Sequence, residues 1–376
     1  MKKTRRQMVL CPLQMQRREA LVTLAALGVI QPYAKSAESN AAESISAPQL
    51  VKDGVHVTGD VQAQSSSGST GHLELTAGDL TAVVGDNSER GEHRAGYNGV
   101  WALRHRSSSR NLFVPAVSGL NFEHIITGEH LEDRTTFFEP RNAPMTLSRM
   151  SEAEVELHQA PTPTFHVESW TRFRITAPHY LDMQVRFKAH EDVFSRGYLS
   201  LFWASYMNAP ADKSMYFLGF PEGFDFSGRS DSSVDAIHEQ AQWIQLCTQW
   251  HNDQSTVQHW QDRYQMSFPA QGRDALFKNI SKLRFDRPFF YGRIDNLSWL
   301  VMFDRSAGIR FTHSPSGGGT NAEFKTTNPA WDFQYYVEKP QIGREYSFQV
   351  RTVLRPECSR EEILEEFRIW DAVQRK

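Results

Sequence analysis

From about residue 70 to residue 358, apolar and polar side chains alternate in short runs. In Tyr346-Ser347-Phe348-Gln349-Val350-Arg351 every second residue is polar, so one face meets a core and the other meets water. Residues 165–187 read as two such strands, broken at Ala177-Pro178-His179. Similar runs cover 198–206, 215–220, 243–250, 296–303, 308–313 and 331–337. Turn-forming clusters separate them: Asn208-Ala209-Pro210, Pro221-Glu222-Gly223 and Ser314-Pro315-Ser316-Gly317-Gly318-Gly319. The spacing predicts about fifteen strands, as an antiparallel all-β domain requires. Two helices interrupt the pattern. One is short, near 232–240. The other is C-terminal: Ser359 and Glu362 form a capping box, and Ile363, Leu364, Phe367, Trp370 and Val373 follow as one apolar stripe at helical spacing.

Composition supports strands. The 376 residues include 24 Phe, 9 Trp and 11 Tyr, rings that suit a pleated surface. Fifteen strands exceed one immunoglobulin-sized sandwich of about 100 residues. No Gly/Pro linker divides the chain cleanly and no repeat of propeller length is visible, so one large antiparallel two-sheet sandwich over 51–358 is expected, with the helix of 359–376 docked on it. Within it, the run 65–71 splits a first strand pair.

The N-terminus carries an address. Arg17-Arg18 precedes the apolar stretch from Ala20 to Ile30, and Pro32 and the small-residue run Ala34-Lys35-Ser36-Ala37 follow. A basic region, a short apolar region and a small-residue cleavage site describe an export signal over 1–37, and the arginine pair resembles a twin-arginine signal. Residues 38–50 read as a linker. A bacterial protein of the periplasm or exterior is expected. This segment also distorts the charge. Removing its seven basic residues and one acidic residue from the chain's 41 and 44 leaves 34 and 43, a net of -9. Such a chain builds no broad positive face for nucleic acid. No later run approaches the ~18 apolar residues of a membrane span. Cys247 and Cys358 remain in the exported chain, either as one disulfide or as two buried small side chains.

The run Gly96-Tyr97-Asn98-Gly99-Val100-Trp101, followed by Asn111-Leu112-Phe113-Val114-Pro115, resembles the opening strands of galactose-mutarotase-like supersandwich proteins. Trp331-Asp332-Phe333-Gln334 is similar to the late strand of aldose epimerases, with Asp332 where the family usually has Glu. The resemblance implies a supersandwich and a place among sugar epimerases and the domains of polysaccharide lyases and glycoside hydrolases. It makes Asp332 a candidate catalytic acid.

Several clusters carry side chains suited to sugar chemistry. Arg104 and His105, and then Glu123 and His124, offer guanidinium and imidazole groups. His124 is a candidate general acid or base, and strand alternation puts Glu123 and His124 on opposite faces. Glu139 and Arg141 sit two apart, either to orient a substrate or to pair with each other. Trp250-His251-Asn252-Asp253 ends a strand and combines a stacking ring, an imidazole and hydrogen-bonding groups, so His251 is the foremost catalytic candidate. Arg293, His313 and Trp331 complete the candidate binding set. Gly317-Gly318-Gly319 lacks the lysine and helix of a phosphate cradle, no nucleophile elbow is present, and no helical His pair points to zinc. No cofactor or metal is expected, and the expected partner is an oligo- or polysaccharide, neutral or anionic. Arginines and histidines outnumber paired acids, which places lyase or epimerase-like chemistry ahead of hydrolysis. A non-catalytic sugar-binding or surface-assembly protein is the rival. Convergence of two or more of His105, His124, His251 and His313 with an acid would separate the two.

Overall fold

Eighteen strands and four short or terminal helices make up residues 71–226, 234–251, 253–270, 275–316 and 328–375, which the computed structural model describes. The signal 1–37, the linker 38–50, the strand expected before residue 65, Asn252 and the Gly317-Gly318-Gly319 loop lie outside them. The strands are β1 His72–Ala77, β2 Leu80–Gly85, β3 Gly99–His105, β4 Asn121–Ile126, β5 Met145–Ser151, β6 Glu154–Gln159, β7 Val167–Thr176, β8 Tyr180–Ala189 and β9 Tyr198–Ala204. Then follow β10 Met215–Phe220, β11 Gln242–Leu246, β12 Thr256–His259, β13 Ile280–Phe285, β14 Phe289–Ile294, β15 Leu297–Phe303, β16 Ile309–Ser314, β17 Ala330–Glu338 and β18 Glu345–Pro356. The helices are α1 Arg134–Phe137, α2 Glu139–Asn142, α3 Val234–His238 and α4 Arg360–Gln374.

β1–β3 form a small sheet. The others run in one hydrogen-bonded order, β4-β9-β17-β16-β12-β13-β10-β14-β15-β18-β8-β7-β6-β5, with β11 beside β10. That order folds into two layers. β10 joins β14 through the pair Tyr216↔Tyr291. Strands distant in the order meet face to face: Trp203 of β9 and Phe333 of β17 pack on Phe348 of β18, at ring separations of 5.2 and 6.3 Å. The core between the layers is rich in aromatic rings and holds Trp203, Trp299, Trp331, Phe187, Phe311 and Phe333, all fully buried. The protein is an all-β antiparallel two-sheet supersandwich. Among the described residues, all strand pairings are antiparallel except β12 with β13.

The alternating pattern foretold most strand positions, and β7 and β8 flank a cis Ala177–Pro178 bond where the sequence breaks the run. The run expected over 243–250 ends earlier, at Leu246, because Thr248 turns to hydrogen-bond His313. The C-terminal helix carries its capping box, and Ile363, Phe367 and Trp370 are buried against Phe289, Leu300 and Val353. Val373, expected on the same stripe, is 53% exposed, since the helix outruns the sheet it covers. Buried Glu366 pins α4 by accepting hydrogen bonds from Tyr180 Oη (3.1 Å) and Arg355 Nη1 (2.9 Å). No disulfide joins Cys247 and Cys358. Among the described residues, no helix is long and apolar enough to cross a membrane.

Candidate functional site

Where β4, β9 and β17 present their outer face, a cavity of about 280 Å³ opens. His124, His251 and Asp332 line it, together with Glu123 and Tyr206. Aromatic rings of Phe137, Phe138, Phe202 and Phe277 close its sides.

The cavity begins with the Asn98-Gly99 pair. The Asn98 amide clasps the backbone of Phe122, donating to its carbonyl (2.9 Å) and accepting from its N–H (3.0 Å). Gly99 has φ +90°, and a Cβ there would lie 2.5 Å from the Leu120 carbonyl oxygen. Only glycine permits this approach. Just past the clasp, the pairing of β4 with β9 slips by one residue between Phe122 and His124. The bulge overturns the expectation that Glu123 and His124 face opposite ways. Phe122 and Ile125 both enter the core, three apart, while Glu123 and His124 both turn to the cavity.

Glu123 is a buried hub. His124 Nε2 lies 3.4 Å and Arg141 Nη1 3.8 Å from Oε1. Asn121 Nδ2 donates to Oε2 (3.0 Å), as does the Tyr206 hydroxyl. Burial alone would raise its pKa, but the hydrogen bond and charge of His124, with Arg141 and Tyr206, outweigh it and hold the carboxyl below its ordinary range. Burial, and then the charge of Glu123, push the Tyr206 phenol well up, so it stays a donor. His124 faces two acceptors, since Nδ1 donates to the Phe137 carbonyl (2.6 Å) and Nε2 faces the carboxylate.

Asp332 has the opposite character. It is 2% exposed and accepts one hydrogen bond, from the Ser205 N–H (3.0 Å). Burial raises its pKa well above the usual range, and the nearby charge of Glu123 adds to the rise. One cavity thus holds one carboxyl whose pKa is lowered and one whose pKa is raised, the pattern that divides acid from base. His251 sits at the exposed rim. Its Nε2 lies between the hydroxyls of Ser316 and Ser314, the latter at 3.4 Å, and Asn279 Nδ2 donates to its carbonyl (3.1 Å). A hydroxyl can donate or accept, so His251 is satisfied in either protonation state.

The other candidates lie elsewhere or serve differently. Trp250 is 68% exposed beside His251. Arg141 stands behind the cavity, its guanidinium 3.9 Å above the Tyr97 ring, and supports Glu123. Glu139 does not pair with Arg141 or reach the cavity. It begins α2 and accepts the backbone N–H groups of Thr164 and Phe165. Arg104 lines a separate open depression with His93 and Trp101. His105 is buried against Ser107, with Asp79 at 3.6 Å. His313 is fully buried between Thr248 (2.7 Å) and the Lys213 carbonyl (2.8 Å), and burial pushes its pKa down to about 4. Trp331, next to Asp332, points into the core and donates to the same Lys213 carbonyl (2.9 Å). Arg293 pairs with Glu357 at 2.8 Å, beside the Cys358 carbonyl. His105, Glu139, Arg293, His313 and Trp331 are thus committed to structural partners. Among the candidate histidines, His124 and His251 converge with two acids. Tyr206 was missed because only its place at the end of a strand hinted at it.

No family model matches this chain, and no curated protein matches it. Solved structures do. A putative aldose 1-epimerase from Escherichia coli K12 aligns over 76% of this chain and 99% of its own at 8% identity, with a TM-score of 0.44. A GalM/aldose epimerase homologue from C. elegans aligns over 77% and 99% at 10% identity, TM-score 0.43. A heparan sulfate lyase HepC mutant from Pedobacter heparinus aligns over 78% of this chain and 36% of its own at 8% identity, TM-score 0.40.

Proposed function

We propose that the protein is an exported bacterial carbohydrate-active enzyme that performs acid–base chemistry on a sugar in the β4–β9–β17 cavity. The observation that carries this reading is the meeting, in one cavity, of two acids of opposite surroundings, Glu123 held by four polar partners and Asp332 by the Ser205 N–H, flanked by His124 and His251. Asp332 is the proton donor, its second oxygen having no protein partner among the described residues. His251 is the proton acceptor, since its hydroxyl neighbours accommodate both of its states. His124 and Arg141, with Tyr206, lower the pKa of Glu123, and His124 itself forms part of the wall that a substrate would meet.

Glu123 has both oxygens engaged by four groups, so it is a poor nucleophile. That favours epimerase-like or lyase chemistry over a glycosidase mechanism with two free carboxylates. The test is a screen of the purified chain against free sugars and against neutral and uronic-acid polysaccharides. Optical rotation, unsaturated products and new reducing ends are read together. Turnover of one class is expected. Binding without turnover across the panel would make the protein a sugar-binding module instead.

A further inference from the structure

We propose that a second, open groove is a distinct carbohydrate site, taking a neutral, hydroxyl-rich stretch of oligosaccharide. For its ligand class the proposal rests on the sugar reading of the inner cavity. The groove has a volume of about 740 Å³ and lies between residues 259–264, the 305–308 turn, the end of β17 and the start of β18. On β17, Tyr336 shares its face with Asp332 four residues away, so the groove begins roughly 13 Å further along the strand. Tyr264 stands between the two sites. It is stacked on Tyr336 at 5.3 Å and held by Arg310 Nη2, which donates to its carbonyl (2.7 Å).

The walls are rigid and aromatic. Tyr336 Oη donates to Asp262 (2.8 Å), and Arg310 Nε donates to the same carboxylate (3.0 Å). Arg344 lies over the Tyr346 ring at 5.1 Å, which fixes its guanidinium. Rings already held in place cost little ordering when a ligand arrives.

Charge selects the ligand. Asp262, Arg305 and Glu345 are spoken for by Arg310, Asp304 and Arg186. Among the described residues, Arg263 and Arg344 have no carboxylate partner, and Glu338 has no basic one. The groups without an ion-pair partner therefore include both donors and an acceptor. A hydroxyl both donates and accepts and so suits a wall where Arg263 and Arg344 donate and Glu338 accepts.

The experiment is affinity electrophoresis of the full chain in gels containing soluble β-glucan, xylan, galactomannan or polygalacturonate. At least one neutral polymer should retard the protein. Arg344→Ala with Glu338→Ala, both at exposed positions, should weaken that retardation about tenfold or more, as loss of two charged hydrogen bonds implies. Asp332→Asn, in the inner cavity, should leave it in place. No retardation by any neutral polymer, retardation by polygalacturonate alone, or retardation unchanged in the double variant would each overturn the proposal. Retardation lost only with Asp332→Asn would assign all binding to the inner cavity and do the same. Groove binding with no turnover in the screen would uphold this site and remove the enzymatic reading.

Discussion

Asp332→Asn separates the cost of a buried acid from its use. The substitution keeps shape, and the amide oxygen still accepts the Ser205 N–H. In the native protein burial raises the carboxyl's pKa well above its ordinary value, while in the unfolded chain it ionises above about pH 3.9. Above that pH the native state holds one proton more than the unfolded state. The stability due to this group is therefore fully present at low pH and falls as pH rises, by about 1.4 kcal/mol per pH unit. The amide introduced by Asp332→Asn does not titrate and has no such dependence. The difference in unfolding free energy, variant minus wild type, should grow as pH rises above the unfolded-chain value, in favour of the variant, by up to about 1.4 kcal/mol per pH unit. Urea unfolding of both proteins at pH 5, 6 and 7 measures it, and other titrating groups cancel in the difference. The rise ends where Asp332 itself ionises in the folded protein. A difference constant across this range would show that Asp332 is already ionised in the native state and would refute its role as proton donor.

Glu123→Gln leaves His124 and Arg141 facing each other without their anion, and should destabilise by about 3–5 kcal/mol at neutral pH. The native carboxyl has a lowered pKa, so its contribution is lost on acidification, and the gap to wild type should close below about pH 4; an equal gap at all pH values would contradict this. Phe367→Ala should cost roughly 3–5 kcal/mol, since its ring packs on Phe289 at 4.9 Å, and an unchanged melting temperature would show that α4 does not stabilise the sheet. Replacing Arg17 and Arg18 with Lys should leave precursor in the cytoplasm on fractionation, whereas normal export would point to the general secretory route.

Much of the sandwich was legible because period-two alternation states which face is buried. The capped C-terminal helix was legible for the same reason at period 3.6. The site was legible only in part. His124, His251 and Asp332 meet in one cavity although about 80 to 130 residues separate neighbouring members, a juxtaposition that topology alone produces. Glu123 was set against His124 by an alternation that a single bulged residue cancels, and bulges leave no hydrophobic signature. Conversely, alternation held for Trp331 and Asp332: neighbours on β17 cannot both face the cavity, and the indole took the core. Burial removed His105 and His313, whose polar partners come from Asp79, Thr248 and Lys213, distant positions that local sequence does not connect.

Whether this cavity moves protons on a sugar, with His251 accepting one, is tested most directly on His251→Ala. Turnover, sugar affinity and melting temperature are measured beside wild type, on whichever sugar the screen finds. Turnover should fall about 100-fold or more, within the range a general base supplies, with affinity and melting temperature nearly unchanged, because the side chain sits at the exposed rim. Full turnover in a stable variant would contradict the proton-acceptor role.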